Sequence, residues 1–285
     1  MEAWSDIIAN LIQTASTKLP EDIKEALSAA ASNETNAGPR AILDTILANV
    51  QMAEAKCIPM CQDTGTLSFL IKAPYGTNTL KIEEGIFAGI EKATARGLLR
   101  LNTISVPSGA QVTENHAPGN PAIHFEFENR STISIQLLMK GGGSENMSCQ
   151  YSLPDSRLGA GRDLEGIRKC VLDAVHNAQG NGCAPGILGV CIGGDREGGF
   201  THAKLQLRRK LSDHATLPEL AELEKRLLEE ANSLGIGPMG LGGKTTILGV
   251  KIGSLARLPA SFFVTIAYCC WACRRAEIEV EPTCY

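Results

Sequence analysis

The amino-acid sequence predicts an α/β fold of mixed α+β type, in which N-terminal helices precede mixed sheet lobes with covering helices. Two patterns support this class. Apolar residues recur at helical spacing before Cys57, and after it short strand-like apolar runs alternate with longer helical segments. No internal repeat or low-complexity linker divides the sequence. We therefore expect a single domain over residues 1–285, with room for two lobes.

The N-terminal region predicts three amphipathic helices, over residues 4–19, 20–32 and 39–56. Pro20 suits the first turn of the second helix, where a backbone N–H would have no helical partner. Further helices are predicted at 82–96, 164–178 and 217–234, and a polar loop at 115–119. The strand-like runs that separate these segments lie at 66–73, 123–129, 133–140, 187–194, 240–253 and 259–272.

Composition narrows the classes of partner and compartment. Lys and Arg number 27 against 31 Asp and Glu, so no basic face for nucleic acid is predicted. The first residues lack a signal-peptide pattern, and no apolar run reaches the roughly 18 residues that span a bilayer. We therefore expect a soluble, cytoplasmic protein whose ten cysteines are free or metal-bound rather than disulfide-paired.

Three segments place cysteines in bends beside apolar runs, at Cys61, at Cys183 and at residues 269–273. A thiolate in such a bend can point into a cavity and bind a metal, although a cysteine often merely fills space in a core. The one CxxC pair, Cys270 and Cys273, has no matching second pair, which argues against a structural zinc site. Three distant cysteines suit a [4Fe–4S] cluster, but their spacing alone leaves the metal open.

Five motifs resemble those of the α subunit of two-subunit class I fumarases, which are iron–sulfur hydro-lyases. They are CQDTGT at 61–66, GGGSEN at 141–146, NGCAP at 181–185, GLGGKTT at 240–246 and CWACRR at 270–275. The related L-tartrate dehydratase α subunit shares CQDTG and CWA-x-RR but differs at the position of Ser144, which favours fumarase. The resemblance implies a single catalytic domain of the iron–sulfur hydro-lyase α type.

The resemblance also implies a set of site residues. Cys61, Cys183 and Cys270 would hold the [4Fe–4S] cluster, whose open iron would act as a Lewis acid. The remaining cysteines would be packing residues: Cys57, Cys149, Cys170, Cys191, Cys269, Cys273 and Cys284.

Five further positions would contact the substrate. Gln62 and Asp63 would act in catalysis and substrate contact, Arg100 would grip a carboxylate, and the backbone of Gly142 and Gly143 would approach the anion. Each has a plainer alternative. Asp63 suits an Asx turn with Thr64 and Gly65, Arg100 could be a solvated charge after a helix, and the glycines could form a simple turn.

The function implied is reversible dehydration of malate to fumarate, a carbon–oxygen lyase reaction. Such fumarases have a second domain that supplies the general base, so we expect a β subunit, an (αβ)2 assembly and a small dicarboxylate substrate. Where the family usually carries histidine, this sequence has Leu258.

Two other functions stay open. The first is the α subunit of an L-tartrate or methyl-substituted malate dehydratase. The second is a non-catalytic metal- or phosphate-binding module, suggested by GLGGKTT, although Pro238 stands where a phosphate-binding loop needs its first glycine.

Overall fold

The computed structural model of the chain describes residues 2–281, which divide into two compact units. Within the described residues, unit 1 comprises residues 2–20, 48–142 and 274–281, and unit 2 comprises residues 21–47 and 143–273. Each unit has its own four-stranded sheet and its own apolar core. The expectation of one catalytic domain over residues 1–285 stays a prediction.

Unit 1 is built on a mixed sheet with the strand order β2-β1-β3-β8. Strand β1 runs parallel to β2 and antiparallel to β3, and β8 is antiparallel to β3. The elements of this unit are α1 (Glu2–Thr17), β1 (Thr66–Pro74), α4 (Thr79–Ala95), β2 (Ala122–Glu128), β3 (Ile133–Lys140) and β8 (Arg274–Val280).

The core of unit 1 lies where α1 and α4 pack beside the sheet. Trp4 and Ile8 of α1 lie close against two glycines of α4. A Cβ added to Gly85 would lie 2.7 Å from the Trp4 Cβ, and one added to Gly89 would lie 2.5 Å from the Ile8 Cβ. Burial of these apolar faces is the main term that stabilises such a layer. The packing fixes helix α4, whose C-terminal end leads directly into the loop that carries Arg100.

Unit 2 has a second mixed sheet, in the order β4-β7-β5-β6. Strand β5 is parallel to β6 and antiparallel to β7, and its residues are all buried. Its elements are α2 (Glu21–Asn33), β4 (Cys149–Ser152), α6 (Leu164–Ala178), β5 (Gly186–Gly193), α7 (Arg196–Gln206), α8 (Pro218–Ser233), β6 (Ile247–Leu255) and β7 (Phe263–Cys269). Helix α3 (Ala37–Lys56) and the short helix α5 (Gly142–Asn146) contribute residues to both units.

The predicted mixed α/β class is confirmed, and most elements agree with their predicted bounds. Helix α6 begins and ends at the predicted residues, and strand β7 lies within the strand-like run predicted at 259–272. Four of these helices and strands were not predicted: the short helix α5, the short strand β4, helix α7, which carries Gly198 and Gly199 near its start, and the charged strand β8. The glycine run at 141–143 leads into α5 rather than forming only a turn.

No helix among residues 2–281 has both the length and the apolar character needed to cross a bilayer.

Candidate active site

The CQDTGT segment of unit 1 forms a turn that is closed by the side chain of Asp63. One carboxylate oxygen accepts the Gly65 N–H at 2.8 Å, and the other accepts the Gly142 N–H at 2.7 Å. The first bond is the Asx turn that the sequence suggested as the plainer alternative. Because both oxygens accept charge-assisted hydrogen bonds from the backbone, the carboxylate joins the turn to the start of α5.

Arg274 fixes the same turn from strand β8. Its side chain is completely buried, and Nη1 donates to the carbonyl oxygen of Asp63 at 2.8 Å. Gly65 is required here, because its φ of +79° suits glycine and an added Cβ would lie 2.7 Å from the Lys140 carbonyl oxygen. The turn is thus held by a buried cation and a close backbone contact.

A cleft of about 700 Å³ opens in unit 1 beside this turn. Gln62, Asp63, Arg100 and Gly142 all line it, so the structure brings together four of the residues that the sequence selected. Gln62 and Arg100 are exposed, and Asp63 is half-buried. The other polar side chains that line the cleft are Thr66, Asn102, Thr103, Gln111 and Asn120.

This lining suits an anionic ligand. A guanidinium forms paired hydrogen bonds with a carboxylate, and amide side chains offer both donors and acceptors to hydroxyl and carboxylate oxygens. Gly142 is a less simple donor than the sequence suggested, because its N–H already donates to Asp63. Gly143 belongs to unit 2, where an added Cβ would lie 3.9 Å from the Asn181 carbonyl oxygen.

Two of the predicted cluster ligands lie in unit 2. Cys183 is exposed and has a left-handed φ of +56°, and Cys270 follows strand β7. The Trp271 N–H donates to the Cys183 carbonyl oxygen at 3.3 Å, which brings the two cysteine segments side by side. Burial, and then the nearby thiols of Cys270, Cys269 and Cys183, raise the pKa of Tyr268, so its hydroxyl stays protonated.

Cys61 belongs to unit 1 and is half-buried, directly before Gln62. Among residues 2–281, no group of three or more His, Cys, Asp or Glu side chains is arranged to hold a metal ion. The ligand set Cys61, Cys183 and Cys270 therefore stays a prediction.

The cysteines expected to be packing residues have varied surroundings. Burial raises the pKa of Cys170 and of Cys191 to about 12, so both thiols stay protonated at neutral pH and make poor ligands. Hydrogen bonds with the thiols of Cys270 and Cys273 raise the pKa of Cys269. Cys57 is exposed and accepts a hydrogen bond from Gln13, and Cys284 lies outside the described residues.

The GLGGKTT loop of unit 2 has its backbone donors directed at a carboxylate of the chain itself. The Lys244 N–H donates to Glu34 at 2.7 Å, and the Lys244 ammonium donates to the Asn33 carbonyl oxygen at 3.0 Å. The N–H groups of Thr35 and Asn36 donate to the other oxygen of Glu34, which is 5% exposed. These backbone hydrogen bonds lower the pKa of Glu34, the one from Asn36 most and the one from Lys244 next.

The position where the family usually has histidine is exposed. Leu258 lies in a loop after strand β6, with 74% of its surface accessible, and its carbonyl oxygen accepts the Ser261 N–H. Its side chain therefore supplies neither a proton donor nor an acceptor to this loop.

Sequence reasoning missed the polar residues that support the cleft. Asn115, Thr64, Asn102 and Thr103 form a hydrogen-bonded group around Arg100, of which the sequence marked only Thr64, within CQDTGT, and the loop 115–119 as a whole. The left-handed φ of +60° at Asn115 is the kind of turn geometry that asparagine favours, but a φ value cannot be read from one sequence.

Comparison with known proteins agrees with this architecture. The family model described as fumarate hydratase (Fumerase) matches residues 5–279. The chain belongs to the fumarate hydratase family. Within that family it is 46% identical, over 287 residues, to "Putative fumarate hydratase class I" of Geobacillus stearothermophilus. That match covers 99% of this chain and 56% of the relative, so the chain spans little more than half of that protein.

Other family relatives are close to this chain in length. It is 38% identical to "Putative L(+)-tartrate dehydratase subunit alpha" of Methanocaldococcus jannaschii, with 97% of each chain covered. It is 30% identical to "L(+)-tartrate dehydratase subunit alpha" of Escherichia coli K12, covering 97% of this chain and 90% of that one. The matches confirm the predicted resemblance to the fumarate hydratase family and the predicted relation to L-tartrate dehydratase α subunits.

Proposed function

We propose that this chain is the α subunit of a cytoplasmic iron–sulfur hydro-lyase that interconverts malate and fumarate by reversible dehydration. The observation that carries the proposal is the cleft of unit 1, where Gln62, Asp63, Arg100 and Gly142 line one surface. Family membership supports the reaction class, because the matched model spans nearly the whole chain.

The residues of the cleft divide the binding of a dicarboxylate among them. Arg100 binds one carboxylate through its planar guanidinium, and Gln62 donates to a second oxygen from its amide. Asp63, held by two backbone N–H groups, presents a fixed carboxylate that orients the hydroxyl-bearing carbon. Gly142 lines the cleft without a side chain, so a substrate could approach its backbone closely, and the contact expected of Gly143 rests on the family resemblance.

The donor chemistry of the cysteine segments fits an iron–sulfur cluster. Cys61, Cys183 and Cys270 would hold a [4Fe–4S] group through thiolate sulfur, which is the usual ligand of such clusters. The adjoining segments of Cys183 and Cys270, and the exposure of Cys183, support this assignment. When bound, a cluster with one iron free of protein ligands supplies a Lewis acid for the substrate's oxygens.

A β subunit would complete the enzyme. The chain covers 56% of the fumarate hydratase relative, and two other relatives are named as alpha subunits. We expect the partner to supply the general base that removes a proton from carbon, in an (αβ)2 assembly. The alternative substrate is L-tartrate or a methyl-substituted malate, which the 97% length match to a protein named as a tartrate dehydratase subunit favours.

A phosphate-binding module is a weaker candidate. The Lys244 N–H, in the part of GLGGKTT that would face a phosphate, donates instead to Glu34. A buried carboxylate at this position would repel a phosphate.

The cluster is tested by anaerobic iron and acid-labile sulfide analysis with EPR on the purified chain. We expect about four irons and four sulfides per chain. The serine variants at Cys61, Cys183 and Cys270 should each lose the cluster, whereas Cys57→Ser, four residues before Cys61, should keep it. Zinc, or a metal content indifferent to the three variants, would refute the cluster.

The reaction is tested on the chain combined with its β subunit. Fumarate hydration well above tartrate and methylmalate dehydration supports the first function, and the reverse order supports the alternative. The isolated chain should bind a cluster but turn over poorly, and full activity without a partner would contradict the role of the β subunit.

A further inference from the structure

Arg100 lies in an irregular segment, so its backbone needs support from elsewhere. Helix α4 ends at Ala95, and residues 98–103 form no helix or strand. A long side chain on a loose loop would lose much of its binding energy, because ordering several rotatable bonds costs conformational entropy. The contacts that fix this segment therefore decide where the guanidinium can reach.

Asn115 supplies most of these contacts. It is 3% exposed, and its Oδ1 accepts the backbone N–H groups of Asn102 at 3.1 Å and Thr103 at 3.2 Å. Its Nδ2 donates to the carbonyl oxygen of Arg100 at 2.9 Å and to the hydroxyl of Thr94, on α4, at 3.1 Å. One side chain thus ties the Arg100 segment to the helix that precedes it.

Thr64 holds Arg100 from the opposite side. Its Oγ1 accepts the Arg100 N–H at 3.2 Å and an amide hydrogen of Asn102 at 2.9 Å. Thr64 is 1% exposed and follows Asp63 directly. The N–H and the C=O of Arg100 are therefore both fixed, the first by Thr64 of the CQDTGT turn and the second by Asn115.

The group of hydrogen bonds extends to other residues that line the cleft. Asn120 donates to the Thr103 hydroxyl, which in turn donates to the carbonyl oxygen of Asn115 at 2.9 Å. Both Thr103 and Asn120 line the cleft. Thr64 therefore connects segment 63–66 to segment 100–103, and Asn115 and Asn120 connect segment 115–120 to it, so that buried groups joined in this way move as a unit.

We propose that Asn115 is the positioning residue for Arg100, and that it sets the affinity of the cleft for a dicarboxylate without touching the substrate. The inference rests on the proposed function, since it assigns Arg100 the grip on a carboxylate. It predicts a specific pattern: loss of the Asn115 side chain weakens dicarboxylate binding only while Arg100 is present.

The test is a double-mutant cycle on the αβ complex. Asn115→Gly removes the side chain and keeps the left-handed φ, and Arg100→Ala removes the guanidinium from an exposed position. The readouts are kcat and KM for fumarate, and the Kd of succinate, a saturated dicarboxylate that cannot be hydrated, by calorimetry. We expect Asn115→Gly to raise KM and Kd about tenfold, with kcat changed less than about threefold. In the Arg100→Ala background the same substitution should change KM and Kd less than about twofold.

A matched control separates positioning from general destabilisation. Asn232 of unit 2 also accepts two backbone N–H groups, those of Thr246 at 2.7 Å and Ile247 at 3.0 Å. Asn232→Gly should lower stability and leave KM and Kd unchanged. If Asn115→Gly does not fold, Thr64→Val, which removes the acceptor for the Arg100 N–H, takes its place in the cycle with the same expectations.

Each outcome decides the proposal. Equal effects of Asn115→Gly in both backgrounds, equal effects of Asn232→Gly on KM, or no effect of Arg100→Ala would overturn it. Coupled succinate binding in a complex that does not hydrate fumarate would retain the positioning role and refute the proposed reaction. Failure of the wild-type complex to bind either dicarboxylate would refute both.

Discussion

Two glycine-bearing loops of the molecule, one in each unit, are closed by the same device, a carboxylate that accepts backbone N–H groups. In unit 1 Asp63 accepts from Gly65 and Gly142, and in unit 2 Glu34 accepts from Thr35, Asn36 and Lys244. Asp63 is half-buried and lines a cleft of about 700 Å³, whereas Glu34 is buried.

The two loops differ in the polar side chains that remain available to a ligand beside each carboxylate. The unit 1 loop keeps exposed polar side chains, Gln62 and Arg100, beside the cleft. In the unit 2 loop, the Lys244 ammonium donates a hydrogen bond to the Asn33 carbonyl oxygen. In the sequence, GLGGKTT resembles a ligand-binding loop more than CQDTGT does. In the structure it is the CQDTGT loop that lines a cleft with exposed polar side chains.

The largest expected effect comes from Gly65→Ala in the unit 1 loop. Its φ of +79° strains an alanine, and the new Cβ would lie 2.7 Å from a backbone oxygen. We expect a loss of about 4 kcal/mol in unfolding free energy, measured by urea denaturation. Gly97→Ala, with a φ of +73° and open space around it, should lose only about 1 kcal/mol. Equal losses would mean that the close contact at Gly65 is unimportant.

Glu34→Ala should have the next largest effect, and only on stability. It leaves three backbone N–H groups without their acceptor, so we expect a loss of about 3 kcal/mol. Activity per folded complex should not change. Glu25→Ala, at an exposed position on helix α2, which ends just before Glu34, should stay within about 0.5 kcal/mol of wild type. Loss of substrate binding in Glu34→Ala would remove the distinction between the two loops.

Asp63→Asn and Glu34→Gln make the same chemical change in the two loops. Each amide keeps one oxygen acceptor but turns a donor NH2 toward an N–H that the other carboxylate oxygen accepted, so each variant should lose about 2 kcal/mol of stability. Only Asp63→Asn should lower kcat/KM, by at least about tenfold, because its carboxylate lines the cleft. Steady-state kinetics with fumarate measures this change. Full activity in Asp63→Asn would mean that Asp63 serves only to form the Asx turn.

The smallest expected effect is the pH dependence of the Glu34 contribution. Backbone hydrogen bonds from Asn36 and then Lys244 lower its pKa below the ordinary value of 4.5. Its ionised form therefore stabilises the fold above that value, and this contribution disappears as the pH falls through the lowered pKa. The difference in stability between wild type and Glu34→Gln, followed by urea denaturation from about pH 6 to about pH 3, should shrink on the acid side. A stability difference that does not change with pH would contradict a contribution from the charge of Glu34.

Helical periodicity and strand-like runs predicted the mixed class and most elements, because burial imposes those periods directly on the chain. Helix α7 escaped prediction because Gly198 and Gly199 are poor helix formers, although Asp195 caps it by accepting the Gly198 N–H. Strand β8 escaped because four of its seven residues are charged, including the buried Arg274.

The site was predicted in part for a different reason. The family resemblance selected Gln62, Asp63 and Arg100, and the cleft brings them together. The support of Arg100 by Asn115 depends on hydrogen bonds between residues up to 21 positions apart, and the anchoring of Asp63 by Arg274 joins residues 211 positions apart. Such pairs leave no periodic or local signal in one sequence.

The long separation between Asp63 and Arg274 also bears on the order in which the protein is made. A chain emerging from the ribosome exposes the CQDTGT turn long before strand β8 has been synthesised to pair with β3 and bring Arg274 to the Asp63 carbonyl oxygen. Unit 2 residues 143–273 are translated in that interval. The contact of Arg274 with the turn beside the cleft can therefore form only after unit 2 residues 143–273 have been synthesised and β8 has paired with β3.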